Sequence, residues 1–101
     1  MRAARFHRHG DPSVLRVEQT AWPFPKGDEL LVRVHASSVN GTDLNIRRGG
    51  GPIGLLTRLP FTVGFDVAGE VVACGELVTA FEPGDRVVAL LGHGGGGAAE
   101  Y

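Results

Sequence analysis

Three residues whose side chains form strong hydrogen bonds, Asn40, Thr42 and Asp43, lie within one tetrapeptide. They fall where a predicted strand ends and a predicted short helix begins, a junction that presents side-chain oxygens and backbone N–H groups outward. An amide, a hydroxyl and a carboxylate in that setting can bind a polar ligand. The same residue types also cap helices. The segment therefore predicts either a binding site or a helix cap.

A second candidate pair, Phe65 and Asp66, lies in an apolar run. Phe65 suits a hydrophobic core. Asp66 needs a partner, because burying an unpaired charge is costly. An aspartate that caps a turn through the local backbone is the other interpretation of Asp66.

Potential metal ligands are scattered. Cys74 is the only thiol, and the histidines are His7, His9, His35 and His93. A catalytic zinc takes three protein ligands, and no spacing here supplies them. The sequence predicts no metal site, and we interpret Cys74 as a small core or strand-end residue.

The run Gly92–Gly97 formally matches the pattern Gly-x-Gly-x-x-Gly after a predicted strand. A dinucleotide site also needs a helix directly after the glycines, with the pyrophosphate at its N-terminus. The sequence ends at Tyr101, too early for such a helix. We interpret the run as a flexible hairpin loop.

These candidates depend on a β-rich unit, Pro60–Leu91, around which the chain is organised. Two apolar runs in it are separated by Glu82–Asp85, a turn signal because proline presets φ and glycine accepts positive φ. The unit therefore predicts two antiparallel strands. Gly64, Gly69 and Gly75 predict bends or close backbone contacts, as in a strongly curved barrel.

The segments before this unit predict further strands. Residues 3–9 favour a first strand, and the alternation in Val14–Thr20 favours a half-buried one with Val17 on its apolar side. Glu29–Val39 favours a strand with one dominantly apolar face. That core face carries Leu30, Val32, Val34, Ala36 and Ser38.

Asn40–Gly49 favours a short helix. Asp43 in its first turn and Arg47 and Arg48 in its last turn match the macrodipole, and Gly49 suits the C-terminal cap. Residues 49–52 are interpreted as a flexible loop, and residues 53–59 show no clear period.

The overall composition is that of one globular domain. The 101 residues carry a formal net charge of −1, which gives no footprint for nucleic acid or an anionic membrane. No apolar run is long enough to span a bilayer, and no signal peptide is recognisable. The single cysteine excludes an internal disulfide and fits a reducing compartment. We expect a cytoplasmic protein.

Several stretches, taken together, carry a family resemblance. They are Ala4–Phe6, Gly10–Leu15, Val39–Asp43 with Ile46–Gly49, Pro60–Val71 and Val78–Val87. In this order they resemble the medium-chain dehydrogenase/reductase superfamily, nearest its zinc-independent quinone oxidoreductase branch. The resemblance implies a mainly β fold, a GroES-like and partly open β-barrel with one or two short helices. In the family this substrate-binding domain is followed by a Rossmann domain for NADPH.

The resemblance also implies a chemistry. Zinc-bearing relatives place a cysteine at Asn40 and a His-Glu pair at Phe65 and Asp66, and neither an amide nor a phenyl ring replaces those ligands. The metal-free branch transfers a hydride from NADPH to a quinone or an activated C=C bond. Asn40 and Thr42 are the implied catalytic residues, Asn40 near the nicotinamide or the substrate carbonyl and Thr42 near the ribose or the substrate. Asp43, Phe65 and Asp66 are implied at the same cleft, with Asp43 anchoring the backbone.

The length sets a further expectation. Residues 1–101 correspond to the N-terminal substrate domain, incomplete at its C-terminus and without the Rossmann domain, which another part of the protein or a partner chain would supply. We expect no bound cofactor and no turnover from this chain alone. The full-length relatives are expected to be homodimers that act on a small quinone or enone. Two alternatives stay open: a non-catalytic GroES-like assembly module, and a plain β-domain whose unpaired strand edges associate.

Overall fold

The computed structural model describes the backbone of residues 1–101 and all side chains except that of Ile53. Six strands and two α-helices follow one another along the chain, with a 3-10 turn at Pro12–Val14. The strands are β1 (Arg2–Phe6), β2 (Arg16–Gln19), β3 (Leu30–Ser37), β4 (Phe61–Thr62), β5 (Asp66–Cys74) and β6 (Arg86–Leu90). The helices are α1 (Gly41–Arg48) and α2 (Gly51–Leu56).

The strands form two antiparallel sheets, ordered β2-β1-β4 and β3-β5-β6. The strand pair predicted within Pro60–Leu91 is confirmed, because β5 pairs with β6 from Asp66 opposite Leu90 to Glu70 opposite Arg86. Among the described residues the two sheets do not join into one closed barrel. The predicted mainly β, partly open architecture with one or two short helices is therefore confirmed.

The strands β3 and β5 approach each other closely at Gly69. A Cβ atom at Gly69 would lie 2.1 Å from the carbonyl oxygen of Arg33, and one at Gly75 would lie 2.3 Å from that of Gly27. The pairing of β3 with β5 also shifts register twice, between Leu31 and Val32 and between Val34 and Ala36. Such irregularities increase the twist of a sheet. The close contacts predicted from these glycines are confirmed.

The core packs the sheet β2-β1-β4 against helix α1. Phe6 of β1, Phe61 of β4 and Ile46 of α1 are buried together with Val14 and Val63. The rings of Phe6 and Phe61 lie 5.7 Å apart. Burying side chains of this size contributes about 1.5–3 kcal/mol each. This packing fixes where α1 begins, and its first residues carry the candidate site.

Helix α1 has the bounds that its local signals predict. Asn40 is the N-cap, and Gly49 ends the helix in the left-handed region with φ of 80°. Asp43 lies in the first turn and the two arginines in the last. Arg47 is buried, and its Nη1 donates to the carbonyl oxygen of Gly10 at 2.6 Å. The helix is therefore held at both ends by contacts outside it.

Helix α2 begins at Gly51, so the prediction of a flexible loop over residues 49–52 is wrong for Gly51 and Pro52. Proline is tolerated in the first turn of a helix, where its missing N–H is not needed. Pro52 occupies that position. Sequence analysis did not predict this helix, because glycine and proline have low helix propensity. Neither helix in the described part of the chain has the length and apolar character needed to cross a membrane.

Two predictions about strand faces are also corrected. In β2, Val17 is 73% exposed and Glu18 is the half-buried residue. The Oε1 atom of Glu18 lies 3.1 Å from Nε of Arg5 and 2.7 Å from Nε2 of His7. These polar contacts, and not the apolar side chain of Val17, determine which face of β2 is half-buried. In β3 the predicted core face is only half-buried at Leu30, Val32 and Val34, and both Ala36 and Ser38 are exposed.

Candidate functional site

The candidate site lies where the end of β3 meets the start of β5. Because the two strands are antiparallel, Ser37 at the end of β3 pairs with Val67 near the start of β5. The residues that follow β3 therefore lie beside Asp66, the first residue of β5. Strand pairing in this way brings together two candidates, Asn40 and Asp66, that are 26 positions apart.

Asp66 is the centre of a hydrogen-bonded cluster. Its Oδ2 accepts hydrogen bonds from Oγ of Ser38 at 2.6 Å and from Nδ2 of Asn40 at 2.8 Å. Its backbone oxygen accepts a third from Oγ of Ser37 at 2.8 Å. The hydrogen bond from Ser38, followed by that from Asn40, lowers the pKa of Asp66 below its ordinary value. Asp66 is thus ionised at neutral pH and has the partner that the sequence required.

Asn40 serves two roles at once. It is the exposed N-cap of α1, and its backbone N–H donates to Oδ2 of Asp43 at 2.8 Å. In the other half of this capping box the Asn40 side-chain oxygen faces the backbone N–H of Asp43. The amide nitrogen points to Asp66 and to Ser38, whose Oγ is 3.3 Å away. Both interpretations of this segment, cap and site, therefore describe Asn40.

Asp43 lies beneath the cluster. It is 3% exposed, and Oδ1 accepts the backbone N–H of Gly64 at 2.7 Å while Oδ2 accepts that of Asn40. Both carboxylate oxygens are occupied by backbone donors. Asp43 holds the start of α1 against the segment before β5, and its carboxylate has no open face toward a cleft.

Thr42 and Phe65 differ in their surroundings. Thr42 is exposed on the first turn of α1, and its hydroxyl has no hydrogen-bonding partner among the described residues. Phe65 is half-buried, with its ring 6.0 Å from that of Phe61, and packs against the core. Of the predicted site residues, the structure thus joins Asn40 to Asp66, leaves Thr42 accessible nearby in the chain, and packs Phe65 against the core.

Sequence analysis missed Ser37 and Ser38 as members of the site. The predicted strand Glu29–Val39 assigns Ser38 only to its core face and gives Ser37 no role, yet both hydroxyls bind Asp66. Two consecutive serines place a hydroxyl on each face of a strand. The pair of serines directly before a polar strand–helix junction was the sequence feature that could have indicated their place in the site.

Two of the cavities lie along the sheet β3-β5-β6. The first, about 440 Å³, borders the cluster and is lined by Ser37, Ser38, Asp66, Val88 and Leu90, among others. The second, about 650 Å³, is mainly apolar and includes Phe24, Phe81 and Tyr101, but none of the candidate site residues. Small-molecule sites span roughly 300–1,000 Å³. The smaller of these two cavities is the relevant one, because Ser38 and Asp66 line it.

The sequence profile of the alcohol dehydrogenase GroES-like domain matches residues 26–101. The chain belongs to this family. Quinone oxidoreductase of Sus scrofa is 43% identical over the whole chain, which covers 30% of that protein. A chloroplastic quinone-oxidoreductase homolog of Spinacia oleracea is 44% identical over 91% of the chain, which covers 28% of that protein. The chain thus spans about three tenths of the length of the curated relatives it matches.

Solved structures agree with these sequence matches. The quinone oxidoreductase from Coxiella burnetii superimposes with a TM-score of 0.92 and 34% identity, over 99% of this chain and 33% of that one. The Escherichia coli quinone oxidoreductase complexed with NADPH gives a TM-score of 0.79 and 32% identity, over 90% and 27% of the two chains. The predicted GroES-like fold and quinone oxidoreductase-like membership of the medium-chain superfamily are confirmed.

Within this GroES-like domain, the described residues contain no group of three or more His, Cys, Asp or Glu side chains arranged to hold a metal ion. The positions where zinc-bearing relatives of the resemblance place their ligands carry the Asn40 amide, the Phe65 ring and Asp66. Of these three side chains, only the carboxylate is a usual zinc ligand. In this structure that carboxylate accepts hydrogen bonds from Ser38 and Asn40.

Proposed function

We propose that this chain is the substrate domain of an NADPH-dependent oxidoreductase that reduces a small quinone or an activated alkene by hydride transfer. Its relatives are quinone oxidoreductases by name, and the Escherichia coli protein was solved with NADPH. The observation that carries the proposal is the contact between Asn40 and Asp66 at the edge of a 440 Å³ cavity. This contact fixes a polar group beside a space that accommodates a small flat molecule.

Residues 1–101 then correspond to the N-terminal substrate domain, and a separate cofactor domain completes the enzyme in the same chain or on a partner. The full enzyme is proposed to be a homodimer, which is the state expected of the full-length relatives.

The exposed polar groups of the site fit the nicotinamide end of NADPH. That end carries a carboxamide and ribose hydroxyls, which hydrogen-bond to amide and hydroxyl groups. Asn40 and Thr42 are exposed, and the Thr42 hydroxyl is unpaired among the described residues. We propose that these two side chains hold the nicotinamide end. When bound, NADPH supplies the hydride.

The remaining residues of the site offer apolar surface to the reactants. Phe65 lies next to Asp66 in the chain and packs on the core. The apolar side chains of Val88 and Leu90, 84% and 80% exposed, line the groove next to Asp66. We propose that a flat apolar ring packs against them, which removes water from the polar contacts of the site and strengthens them. The proton that completes the reduction comes from solvent or through the Thr42 hydroxyl.

The proposed reaction uses no zinc. An amide and a phenyl ring at positions 40 and 65 cannot replace a thiolate and an imidazole as ligands. The chemistry of the side chains themselves therefore favours the metal-free branch.

The test joins residues 1–101 to the cofactor-binding remainder of the Sus scrofa quinone oxidoreductase, in place of the segment that this chain matches. NADPH oxidation is measured with p-benzoquinone and with methyl vinyl ketone. We expect turnover, and a loss of kcat/KM of about tenfold or more for Asn40→Leu, the size of losing one or two hydrogen bonds in a site. Gln19→Leu, which removes an exposed amide at the end of β2, is the matched control.

The opposite result is also informative. A folded chimera that binds neither NADPH nor quinone contradicts the oxidoreductase assignment. If the 101-residue chain alone then assembles into rings in native mass spectrometry, the non-catalytic assembly module is the better account.

A further inference from the structure

A further cavity, of about 330 Å³, lies at the connection between β1 and β2, in the sheet that does not carry the Asp66 cluster. It is lined by His7, Arg8, Val14, Arg16 and Glu18. Val14 belongs to the buried core, and the other four lining side chains are polar or charged. The proposed hydride transfer uses none of these residues.

Positive charge is concentrated in the part of the chain that forms this cavity. Residues 1–20 carry four arginines and two acidic side chains, whereas residues 61–101 carry one arginine and six acidic side chains. The formal net charge of −1 is therefore the sum of two regions of opposite sign. A local excess of positive charge attracts anions even where the whole molecule has almost no net charge.

Strand pairing places two of these arginines directly opposite each other. Arg5 of β1 pairs with Arg16 of β2, and Ala3 pairs with Glu18. Since side chains alternate between the two faces of a strand, Arg5, Arg16 and Glu18 share one face of the sheet. Like charges directly opposite each other on one face are destabilising. The repulsion at this pair is relieved only by negative charge close to both guanidinium groups.

The one carboxylate on this face is already engaged. Oε1 of Glu18 lies 3.1 Å from Nε of Arg5 and 2.7 Å from Nε2 of His7. Arg5 has a further partner, because its Nη1 donates to Oγ1 of Thr20 at 2.8 Å. Among the described residues, the guanidinium of Arg16 takes part in no hydrogen bond or ion pair. Its charge thus lacks the counter-charge that Arg5 has.

Arg8 brings a second guanidinium without a counter-charge to the same cavity. It is exposed and forms no ion pair within the described part of the chain. The acidic residue nearest to it in sequence, Asp11, accepts the backbone N–H of Ser13 at 2.9 Å and also the Ser13 hydroxyl. These hydrogen bonds are the main causes that lower the pKa of Asp11, and the charge of Arg8 is the smallest one. Asp11 is therefore committed to Ser13.

We propose that this cavity binds a phosphoryl group between Arg8 and Arg16. The guanidinium fork matches the oxygens of phosphate and of carboxylate. A carboxylate has one charge and two oxygens, which suffice for one fork. A phosphoryl group carries about −1.5 to −2 charges at neutral pH and three acceptor oxygens, so it can engage two forks and balance both charges. The charge of Glu18 does not exclude such an anion, because Arg5 balances it.

The ligand is either inorganic phosphate or a small phosphate ester. Small-molecule sites span roughly 300–1,000 Å³, and this cavity lies at the small end of that range. Val14 offers apolar surface to the organic part of an ester. Both sources share the phosphoryl group, and the experiment distinguishes them.

Binding is tested on the 101-residue chain by NMR titration at low ionic strength, since salt screens exposed charges. The probes are inorganic phosphate, phenyl phosphate and benzoate, which has the same ring with a carboxylate. We expect saturable shifts of the Arg16 Nε–H and of the Val14 backbone amide with both phosphates. Benzoate is expected to bind about tenfold more weakly than phenyl phosphate, the size of one lost charge-assisted hydrogen bond.

The two arginines are tested by removing their charges separately. Arg8→Gln and Arg16→Gln are each expected to raise the Kd for phenyl phosphate about tenfold. Arg48→Gln is the matched control, because it removes the same charge from an exposed position on α1, outside the cavity. It is expected to change the Kd by less than about twofold, as for a screened charge.

The Tm without added phosphate separates a binding role from a structural one. Because Arg16 lies opposite Arg5, Arg16→Gln removes a repulsion and is expected not to lower the Tm, although it weakens binding. If Arg16→Gln does not fold, Arg8→Gln, at an exposed position outside the strands, decides the role of the arginines.

The relative affinities identify the source of the phosphoryl group. Equal binding of inorganic phosphate and phenyl phosphate assigns the cavity to the free anion, and tighter binding of phenyl phosphate assigns it to an ester. The proposal is overturned if neither phosphate gives saturable shifts, if benzoate binds as tightly as phenyl phosphate, or if Arg48→Gln weakens binding as much as the cavity variants do. None of these results bears on the reductase assignment, because the cavity shares no residue with the Asp66 cluster.

Discussion

Oδ1 of Asp43 accepts a hydrogen bond from the backbone N–H of Gly64 over 2.7 Å, across 21 positions of sequence. Oδ2 of the same carboxylate accepts the backbone N–H of Asn40. One buried side chain thus ties the start of α1 to the segment that leads into β5. Asn40 lies on the first of these segments and Asp66 begins the second, so Asp43 sets the distance between the two residues of the site.

Replacing Asp43 by alanine is expected to be strongly destabilising. Two backbone donors, at Gly64 and Asn40, lose their acceptor, and the residue is 3% exposed. A buried donor without a partner costs about 1–3 kcal/mol. The N–H of Gly64 is buried and that of Asn40 only partly so, and we therefore expect a loss of about 2–4 kcal/mol in the free energy of unfolding. Urea denaturation measures it. Asn45→Ala, exposed on the same helix, is the control and changes stability by less than about 0.5 kcal/mol. An equally small effect of Asp43→Ala contradicts the anchoring role.

The charge of Asp66 makes the stability of the site depend on pH. Hydrogen bonds from Ser38 and then Asn40 lower its pKa in the folded chain. A group with a depressed folded pKa stabilises the fold above its unfolded pKa, and this contribution is lost as pH falls through the folded value. We therefore expect the Tm to decrease as the solution is acidified below the ordinary value of 3.8 for an aspartate.

The separate contributions to this pKa are measured by NMR titration of the Asp66 carboxyl carbon. Ser38→Ala is expected to raise the pKa more than Asn40→Ala, because the hydrogen bond from Ser38 is the larger cause. In Asp66→Asn the acid-induced decrease in Tm becomes smaller. Glu76→Gln, at an exposed carboxylate without a described hydrogen bond, is the matched control. Equal pKa values in the parent and in Ser38→Ala are incompatible with this account.

The features that sequence analysis predicted correctly are determined by neighbouring residues. Helix α1 carries its own N-cap, charge pattern and C-terminal Gly49, so its bounds required no knowledge of the tertiary structure. The pair of β5 and β6 is likewise determined by the Glu82–Asp85 turn between them. The cluster around Asp66 was not predictable in this way, because its partners lie on another strand. Which residue of β3 meets Asp66 depends on the register of the sheet.

The wrong face predicted for β2 has the same origin. Val17 is the apolar residue of its strand, yet Glu18 faces inward because Arg5 on the neighbouring strand pairs with it. Alternation within one strand contains no information about a charged partner on the next. The resemblance to the family supplied the missing long-range information for the fold. It did not supply the two serines that bind Asp66.

Gly69 keeps β3 and β5 close enough for this site to form. A Cβ atom there would lie 2.1 Å from the carbonyl oxygen of Arg33, a backbone atom that cannot rotate away. Gly69→Ala must therefore separate the strands. Overpacking of this kind costs about 1–3 kcal/mol of unfolding free energy. Gly50→Ala is the matched control, because a Cβ atom there meets nothing within 4 Å.

The same substitution is expected to disturb the site from a distance. Since the β3–β5 pairing brings Ser38 and Asn40 to Asp66, a wider gap between the strands lengthens both hydrogen bonds. The pKa of Asp66 then rises toward its ordinary value, and the Asn40 side-chain resonances approach those of Asn45. Gly50→Ala leaves both observables unchanged. If Gly69→Ala destabilises the fold while the Asp66 titration stays as in the parent, the cluster is held by the α1 start alone, and the sheet register is not what positions it.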